Sequence, residues 1–413
     1  MNEQILWILG IELLLLTMLC VGKIDLLATG LATMGVILVM AVQDAIVLFG
    51  ALEMVSGCTW LTLYHQRISL SYTSASASEL TTRHVLLSLM GSALLLLGLS
   101  IICGTTGTID LQEIHAQSNN APPELIRLAI ALILAGLGIR LGVVPFALHI
   151  PHTCQLITNR GTTQLLLLPW FAGTITLVRL LATILPGLSG ACWPIAGLLA
   201  VISMGYAGLS AISEQNVRKL MSYILIVQSG LILLGPVAAF SQAAVSDMVA
   251  TDSLASRALG GSLFCLLATG PSAIGALGVL VYLRREDGQI DVVDELAGLG
   301  RTRPWIAAAM ALFLLSLAGV PPLAGFWART AVLIPTVSVT LMANSPERWW
   351  FVALAVAAGL GMVVTMVVCT RLVAVMYFRL PLATPKAQGG RMASTAIIGC
   401  ATLTVLIGLG FFS

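Results

Sequence analysis

Long apolar runs, separated by short polar segments, follow one another along the whole chain. The runs lie at about residues 4–22, 25–42, 44–63, 84–103, 125–148, 162–185, 191–212, 219–240, 258–283, 304–319, 323–341, 349–370 and 393–412. Most approach the ~20 residues that an α-helix needs to cross ~30 Å of hydrocarbon, and they lack the ten-residue alternation of a membrane β-strand. The pattern predicts an all-α, polytopic transmembrane bundle of about twelve helices in a single membrane domain over residues 1–413.

The composition agrees with lipid as the solvent. Hydrophobic residues make up 58% of the chain and charged residues only 9%, and the mean hydropathy is +1.00, whereas a globular domain carries about 25% charge. Such a chain would expose too much apolar surface in water, which excludes a soluble enzyme. The net charge of +2 predicts no nucleic-acid partner. The first run, Ile5 to Val21, lacks a basic leader and a cleavage site, and we interpret it as a spanning helix.

No cofactor motif is visible in the sequence. The eight cysteines stand singly, without a CxxC pair, which is typical of buried small side chains rather than of metal, iron–sulfur or disulfide sites. The glycine string Gly136, Gly138 and Gly142 lies inside an apolar run with no preceding strand. It therefore predicts close helix packing rather than a dinucleotide-binding turn.

Two polar loops and two proline-containing segments interrupt the pattern. Of the loops, residues 65–82 and 284–303, the second holds the densest basic cluster and is predicted to be cytoplasmic. The segments LLLLPWFAG, around Pro169, and LAGVPPLAGF, around Pro321 and Pro322, predict broken helices. Paired breaks indicate inverted repeats with an ion site near the midplane, and ordinary prolines at helix ends are the alternative.

Charged residues inside the apolar runs are the candidates for function, because each costs on the order of 3 kcal/mol or more in hydrocarbon. Glu53 lies about nine residues from either end of its run, near mid-membrane, and we expect Arg83 at the start of the next helix to supply its counter-charge. A proton relay requires such acids and bases in alternation. The embedded bases are Arg140, Arg179, Arg218, Lys219, Arg329 and Arg371.

Three of the embedded charges are predicted to lie outside the relay. Arg179 and Arg371 are expected to snorkel from helix ends. Glu12 has no evident partner, and we interpret it as a helix-packing or subunit-contact residue.

Several stretches carry a resemblance to a known family. They are FGALEMVS, LLLLGLSIICGTTGTIDLQEI, AGLGIRLGVVPF, QNVRKLMSY, DELAGLGRTRPW, LLSLAGVPPLAGFWART and RLVAVMYF. Over about residues 30–380 the chain resembles the antiporter-like membrane subunit N of respiratory complex I (NADH–quinone oxidoreductase), and the run DELAGLG…RP…LLSLAGVPP…GF is the most specific part. Sister subunits L and M look similar, but M-type chains tend to carry an acid where this chain has Arg329, which favours N.

The resemblance implies an architecture and a set of partners. The family has fourteen helices in two inverted five-helix repeats, each with a broken helix, and this chain is expected to begin about two helices late. The repeats would cover about residues 25–220 and 221–380, followed by a C-terminal helix at 381–413. The resemblance implies a bacterial inner-membrane protein in contact with lipid and with membrane subunits of types A, J, K, L, M and H. Quinone, flavin and iron–sulfur clusters would lie elsewhere in the complex, with no cofactor in this chain.

The resemblance also assigns positions of the family's charge pathway. The family's buried acid matches Glu53, its paired lysine aligns with Arg83, and the lysine of the first broken helix aligns with Trp170 after Pro169. The central lysine–arginine pair is swapped, as Arg218 and Lys219, and the last lysine aligns with Arg329. The histidine that usually follows the central lysine is Gln228, and the PFHxWxPD stretch is PFALHIPH.

These departures change the chemistry. A desolvated lysine can release its proton near neutral pH, whereas arginine stays charged and tryptophan does not titrate. Lys219 is the one lysine left in the expected pathway. A relay in this chain would then depend on water, Glu53 and histidines such as His84, His149 and His152.

Three functions remain open at this point. The first is a subunit N-like component of the oxidoreductase, which contributes a proton pathway coupled to quinone reduction elsewhere in the complex and so acts as part of a translocase. The second is a structural subunit of such a complex that moves no protons. The third is a subunit of a cation/proton antiporter, or a stand-alone secondary transporter.

Overall fold

The computed structural model describes most of the chain, in ten ranges. These are residues 3–19, 23–69, 75–117, 122–184, 193–242, 248–284, 289–342, 345–381, 386–387 and 390–410. The helices are α1 Glu3–Leu19, α2 Lys23–Ala41, α3 Ala45–Ser69, α4 Ala75–Thr106, α5 Leu111–Gln117, α6 Pro123–Leu141, α7 Ile150–Leu156, α8 Asn159–Ile184, α9 Trp193–Ser213, α10 Val217–Gln242, α11 Met248–Tyr282, α12 Leu299–Thr302, α13 Pro304–Ala318, α14 Ala324–Met342, α15 Ser345–Phe378 and α16 Arg391–Gly410. Two-residue strands, β1 Leu283–Arg284 and β2 Lys386–Ala387, pair antiparallel.

Within the described residues, ten helical segments are long and apolar enough to cross a membrane. Three shorter apolar helices, Ile8–Leu19, Leu26–Ala41 and Pro304–Ala318, accompany them. Each of the predicted apolar runs coincides with one of these helices, which confirms a polytopic helical membrane bundle. The cytoplasmic loop that we predicted at 284–303 lies partly outside the described residues, as does the loop at 65–82.

Helix α10 lies at the centre of the bundle. It packs against α9, α11, α14 and α8, and all of its most apolar segment is buried, compared with 33% for the outer helices α4, α15 and α16. The outer helices expose large apolar side chains such as Leu89 and Leu360. Because apolar side chains on an outer surface are stable in lipid but not in water, this distribution is the one expected of a membrane-spanning bundle.

Close helix packing occurs at the glycine string in α6. A Cβ atom added at Gly136 would lie 2.6 Å from the carbonyl oxygen of Gly91 on α4. We expect Gly136→Ala to lower the free energy of unfolding by about 1–3 kcal/mol, because α4 and α6 must move apart to admit the methyl group. Gly104→Ala is the matched control on α4, since no atom lies within 4 Å of a Cβ there. Thermal unfolding in detergent measures both, and equal stability of the two variants would contradict the packing argument.

The first interrupted helix is α6–α7, not the segment around Pro169. Helix α6 ends at Gly142, whose φ of 70° is left-handed, and the chain then passes through a cis bond before Pro145 into a 3-10 turn over Phe146–His149. Our prediction of a break at Pro169 is wrong, because α8 runs through it from Asn159 to Ile184. A buried proline removes a single helical hydrogen bond, which a packed helix tolerates, whereas a left-handed glycine followed by proline ends the helix.

The second interruption lies where the sequence predicts it. Helix α13 ends at Gly319, with a φ of 78°, and α14 begins at Ala324. Pro321 and Pro322 occupy the segment between them. The carbonyl groups at the end of α13 are thereby left without helical donors, deep in the protein, and other side chains must satisfy them.

Candidate functional site

A buried ion pair joins α3 to α6 just before the first interruption. Glu53 of α3 accepts from Nη2 of Arg140, with 33% of the Glu53 side chain and 4% of the Arg140 side chain exposed. Arg140 also donates to the carbonyl of Leu52 at 2.9 Å, to Oγ of Ser92 at 2.9 Å and to Oγ of Ser56. The guanidinium is therefore held by a carboxylate and three neutral acceptors on two neighbouring helices.

The sequence predicts Arg83 as the partner of Glu53, and this prediction is wrong. Arg83 pairs instead with Glu79, one turn earlier on α4, at 2.5 Å, with 62% and 60% of the two side chains exposed. An i,i+4 pair forms within one exposed helix face without desolvation. Arg140, in contrast, would be buried without a counter-charge if Glu53 paired elsewhere, and burial of an unpaired charge is strongly unfavourable.

A cavity of about 330 Å³ reaches this ion pair between α3 and α4. It is lined by Glu53, Ser56, Gly57, Trp60, His84, Val85, Ser88 and Leu89. Glu53 and His84 are the two ionisable residues in this lining, so a proton that enters the cavity meets both an imidazole and a carboxylate.

Two histidines form a dyad at the edge of this cavity. Nδ1 of His84 lies 2.9 Å from Nε2 of His149, and Nδ1 of His149 lies 3.0 Å from the carbonyl of Phe146. Because a carbonyl only accepts, His149 carries its hydrogen on Nδ1, and its Nε2 accepts from His84 when both rings are neutral. The dyad connects the cavity to the 3-10 turn after the first interruption. His152, two residues into the following α7, is exposed.

Arg218 and Lys219 lie at the start of α10. Arg218 donates to the carbonyl of Ile157 at 2.5 Å, which ends α7, and to Oδ1 of Asp291 at 2.5 Å. Nζ of Lys219 lies 4.0 Å from Oε2 of Glu214. At 1.5 Å per residue, Lys219 is about 15 Å along α10 from Ser229. These two bases therefore lie in the first turn of α10.

The middle of α10 contacts both interrupted helices instead. Oγ of Ser229 donates to the carbonyl of Leu141 at 2.6 Å, at the end of α6. Nε2 of Gln228 donates to the carbonyl of Leu317 at 3.2 Å, near the end of α13. Two adjacent side chains therefore satisfy carbonyls at the two interruptions. A polar Gln-Ser pair within an apolar run is the sequence signal that could have revealed this junction.

Arg329 of α14 caps the end of α13 at the second interruption. It is 5% exposed and donates to the carbonyl of Ala318 at 2.5 Å and to that of Leu317. No ion pair to Arg329 occurs among the residues that the structure describes. Its charge is balanced by the negative end of the α13 dipole.

Capping of a neighbouring helix is a shared role of the embedded arginines. Arg179 donates to the carbonyls of Val39 and Val42 at the end of α2, and Arg371 donates to that of Ile212 near the end of α9. The planar guanidinium presents five donors in a fixed fork, whereas the three donors of lysine share one nitrogen atom. Arg140 differs, since it is the buried arginine whose carboxylate partner lines the cavity. Trp170 is buried among apolar side chains in α8, where the family resemblance placed a lysine.

No group of three histidine, cysteine or acidic side chains converges within the described ranges. The site is therefore best described by its ion pair, its histidine dyad and the cavity between them.

Comparison with known proteins identifies the family of the chain. Residues 43–361 match the NADH:quinone oxidoreductase/Mrp antiporter transmembrane family. The chain is 31% identical to NADH-quinone oxidoreductase subunit N of Herminiimonas arsenicoxydans, over 84% of this chain and 66% of the relative. It is also 31% identical to subunit N of Nitrosomonas europaea, over 73% of this chain and 59% of the relative. The chain thus spans less than two thirds of the length of these curated relatives.

Solved structures share the fold at lower identity. A chain of respiratory complex I from Thermus thermophilus superposes with a TM-score of 0.74 at 21% identity, covering 99% of this chain and 84% of that one. A chain of the Mrp complex from Dietzia superposes with a TM-score of 0.79 at 19% identity, covering 99% and 81%.

Proposed function

Because the chain belongs to the NADH:quinone oxidoreductase/Mrp antiporter transmembrane family, we propose that it is the N-type membrane subunit of a proton-translocating NADH–quinone oxidoreductase. In this role it assembles with other membrane subunits of the complex in the bacterial inner membrane. It contributes a proton pathway, while quinone reduction takes place elsewhere in the assembly. The similarity to relatives named subunit N supports this assignment.

The observation that carries the proposal is the Glu53–Arg140 ion pair beside the cavity. Arg140 keeps its charge at all accessible pH values, so the proton-binding groups at this place are Glu53, His84 and His149. A proton that enters the cavity neutralises Glu53 and leaves the positive charge of Arg140 without its counter-ion. Because that charge is almost fully buried, its environment must rearrange or the proton must leave again.

The central helix α10 offers a route by which such a rearrangement reaches the second half of the chain. Ser229 holds the end of α6, one residue after Arg140, and Gln228 holds the end of α13. A shift of α6 on protonation of Glu53 would therefore act on α10 and then on the second interruption, where Arg329 lies. We place Lys219, beside Glu214 at the start of α10, at the end of the pathway, where a lysine can exchange its proton with water.

The two interrupted helices also support a division into inverted repeats. We assign α6–α7 to a first repeat over about residues 25–220 and α13–α14 to a second over about 221–380, with 381–413 as an additional C-terminal helix. Paired interrupted helices of this kind are typical of transporters whose ion sites lie at the interface between repeats.

Proton flux in vesicles that contain the whole complex tests the proposal. We expect Glu53→Gln to lower flux about tenfold or more, because the amide keeps a hydrogen-bond acceptor for Arg140 but cannot bind a proton. Lys219→Ala should lower flux as well, and Glu79→Gln is the matched control, because Glu79 is an exposed acid of α4 outside the lining of the cavity. Quinone reduction and subunit composition are measured in parallel. Unchanged flux in both the Glu53 and Lys219 variants would contradict the proposal.

A non-pumping structural subunit is the second candidate. It is favoured by the embedded arginines that cap helix ends at positions where the resemblance places titratable lysines, above all Arg329. In that case the Glu53→Gln complex would assemble and pump as the unchanged complex does, whereas loss of Arg329 would prevent assembly.

A further inference from the structure

A second acid lies in the bundle, away from the cavity. Glu12 occupies the middle of α1 and is 0% exposed within the chain itself, which agrees with the predicted helix-packing role rather than with a subunit contact. Neither of its carboxyl oxygens has a hydrogen-bond partner among the described residues. It differs in this from Glu53, which meets a guanidinium.

Gly270 of α11 provides the space for this carboxyl group. A Cβ atom added at Gly270 would lie 2.5 Å from Oε2 of Glu12 and 2.9 Å from the ring of Phe171 on α8. Any larger residue would collide with the carboxyl group. The next residue, Pro271, has no N–H, so the carbonyl of Leu267 on the same turn loses its helical donor. Gly270 thus leaves room for the carboxyl group beside a point where the hydrogen-bond ladder of α11 is interrupted.

The charges around Glu12 do not compensate an ionised carboxylate. Helix α1 packs against α2, α11 and α16. From these helices, the titratable side chain that interacts electrostatically with Glu12 is Cys400 of α16, and no lysine, arginine or histidine in the described chain forms an ion pair with it. Burial of an unpaired carboxylate costs several kcal/mol even after the protein relaxes, so the neutral acid is the stable form.

A short chain of hydrogen bonds runs from α11 to the second interruption. Ser272, two residues after Gly270, donates to Oγ of Ser316 at 2.8 Å and lies 3.4 Å from Oγ1 of Thr404. Ser316 in turn accepts from the backbone N–H of Gly325 at 3.3 Å, in the first turn of α14.

We propose that Glu12 is a second proton-binding site, separate from Glu53, and that its carboxyl group carries a proton in the conformation described here. The group that takes up the proton is the carboxylate oxygen facing Gly270, and release returns the proton to water without any other bond change. This proposal concerns a different residue and helix set from the pathway at Glu53 and does not depend on that pathway.

Infrared difference spectroscopy of the complex in lipid at neutral pH tests this proposal. The spectrum of the unchanged complex minus that of Glu12→Gln should show one band of a protonated carboxylic acid, which shifts in heavy water. The matched difference for Glu79→Gln should show an ionised carboxylate instead, because Glu79 is exposed and paired with Arg83. An ionised carboxylate in the Glu12 difference would overturn the proposal, whatever proton flux the Glu53 variant shows.

A second variant covers the case in which Glu12→Gln does not assemble. Gly270→Ala keeps the acid but places a methyl group against it, so the protonated-acid band should move in frequency while its intensity stays. Gly260→Ala, in the same helix with no atom within 4 Å of a Cβ, is the control and should leave the band in place. An unshifted band in Gly270→Ala would contradict the assignment of the band to a protonated Glu12 that lies against Gly270.

Discussion

Arg140→Met should lower the free energy of unfolding by about 3–5 kcal/mol, the range for removing one partner of a buried ion pair. The loss leaves Glu53, Ser56 and Ser92 without the donor that they share. Since 33% of the Glu53 side chain is exposed to the cavity, we expect the lower end of that range. Denaturant unfolding in detergent, followed by circular dichroism, measures the change.

Two further variants show whether loss of the Glu53–Arg140 ion pair causes the lower stability of Arg140→Met. In Arg140→Met combined with Glu53→Gln the uncompensated carboxylate is absent, so part of the lost stability should return. Arg83→Met is the matched control, because it breaks the exposed pair with Glu79, for which about 0–1 kcal/mol is expected. Equal destabilisation by Arg83→Met and Arg140→Met would show that the burial argument is incorrect.

Arg329→Met should lower stability by about 3 kcal/mol, because hydrogen bonds from a charged donor contribute about 1.5–3 kcal/mol each and Arg329 donates to two carbonyls at the end of α13. Methionine fills much of the space but offers no donor. The carbonyl of Ala318 then loses the donor that Arg329 supplies, whereas that of Leu317 keeps Gln228. Protease sensitivity near residues 319–323 should rise together with the loss of stability.

The shared carbonyl of Leu317 supplies a sharper test. Gln228→Ala and Arg329→Met remove its two donors one at a time, so the double variant should lose more than the sum of the single losses. Arg371→Met is the control, because it removes a comparable bond to Ile212 on the exposed outer side of the bundle. Additive losses would indicate that the two donors act independently, and the proposed link from α10 to the second interruption would then fail.

The position of Glu53 could be predicted from the sequence, but its partner could not. An acid nine residues from either end of an apolar run is expected near mid-membrane, and Glu53 does lie inside the continuous helix Ala45–Ser69. The sequence suggested Arg83, and only the contact of α6 with α3 and α4 identified Arg140 as the partner. The same holds for Arg218 and Lys219, whose acidic partners Asp291 and Glu214 the sequence did not single out.

The helix interruptions were likewise predicted only in part from the sequence. Proline content pointed to Pro169 and to Pro321–Pro322 with similar strength, yet α8 continues through its proline and α6 ends at Gly142. A prediction from the sequence considers only the backbone hydrogen bond that a proline removes from its own helix. Such a prediction omits side chains of other helices, such as Ser229 and Arg329, which donate hydrogen bonds to the carbonyl groups at a helix end.

The sequence by itself determined the solvent, the class of fold and the course of the membrane helices, because apolar length and continuity act along the chain and need no tertiary contact. It also determined the family, through the motifs of residues 43–361. Only the tertiary structure decided which charges are neutralised, which carbonyls are capped and which acid remains unpaired. These depend on distances between helices that are far apart in the sequence, and in a medium without water such distances decide whether a charge is stable.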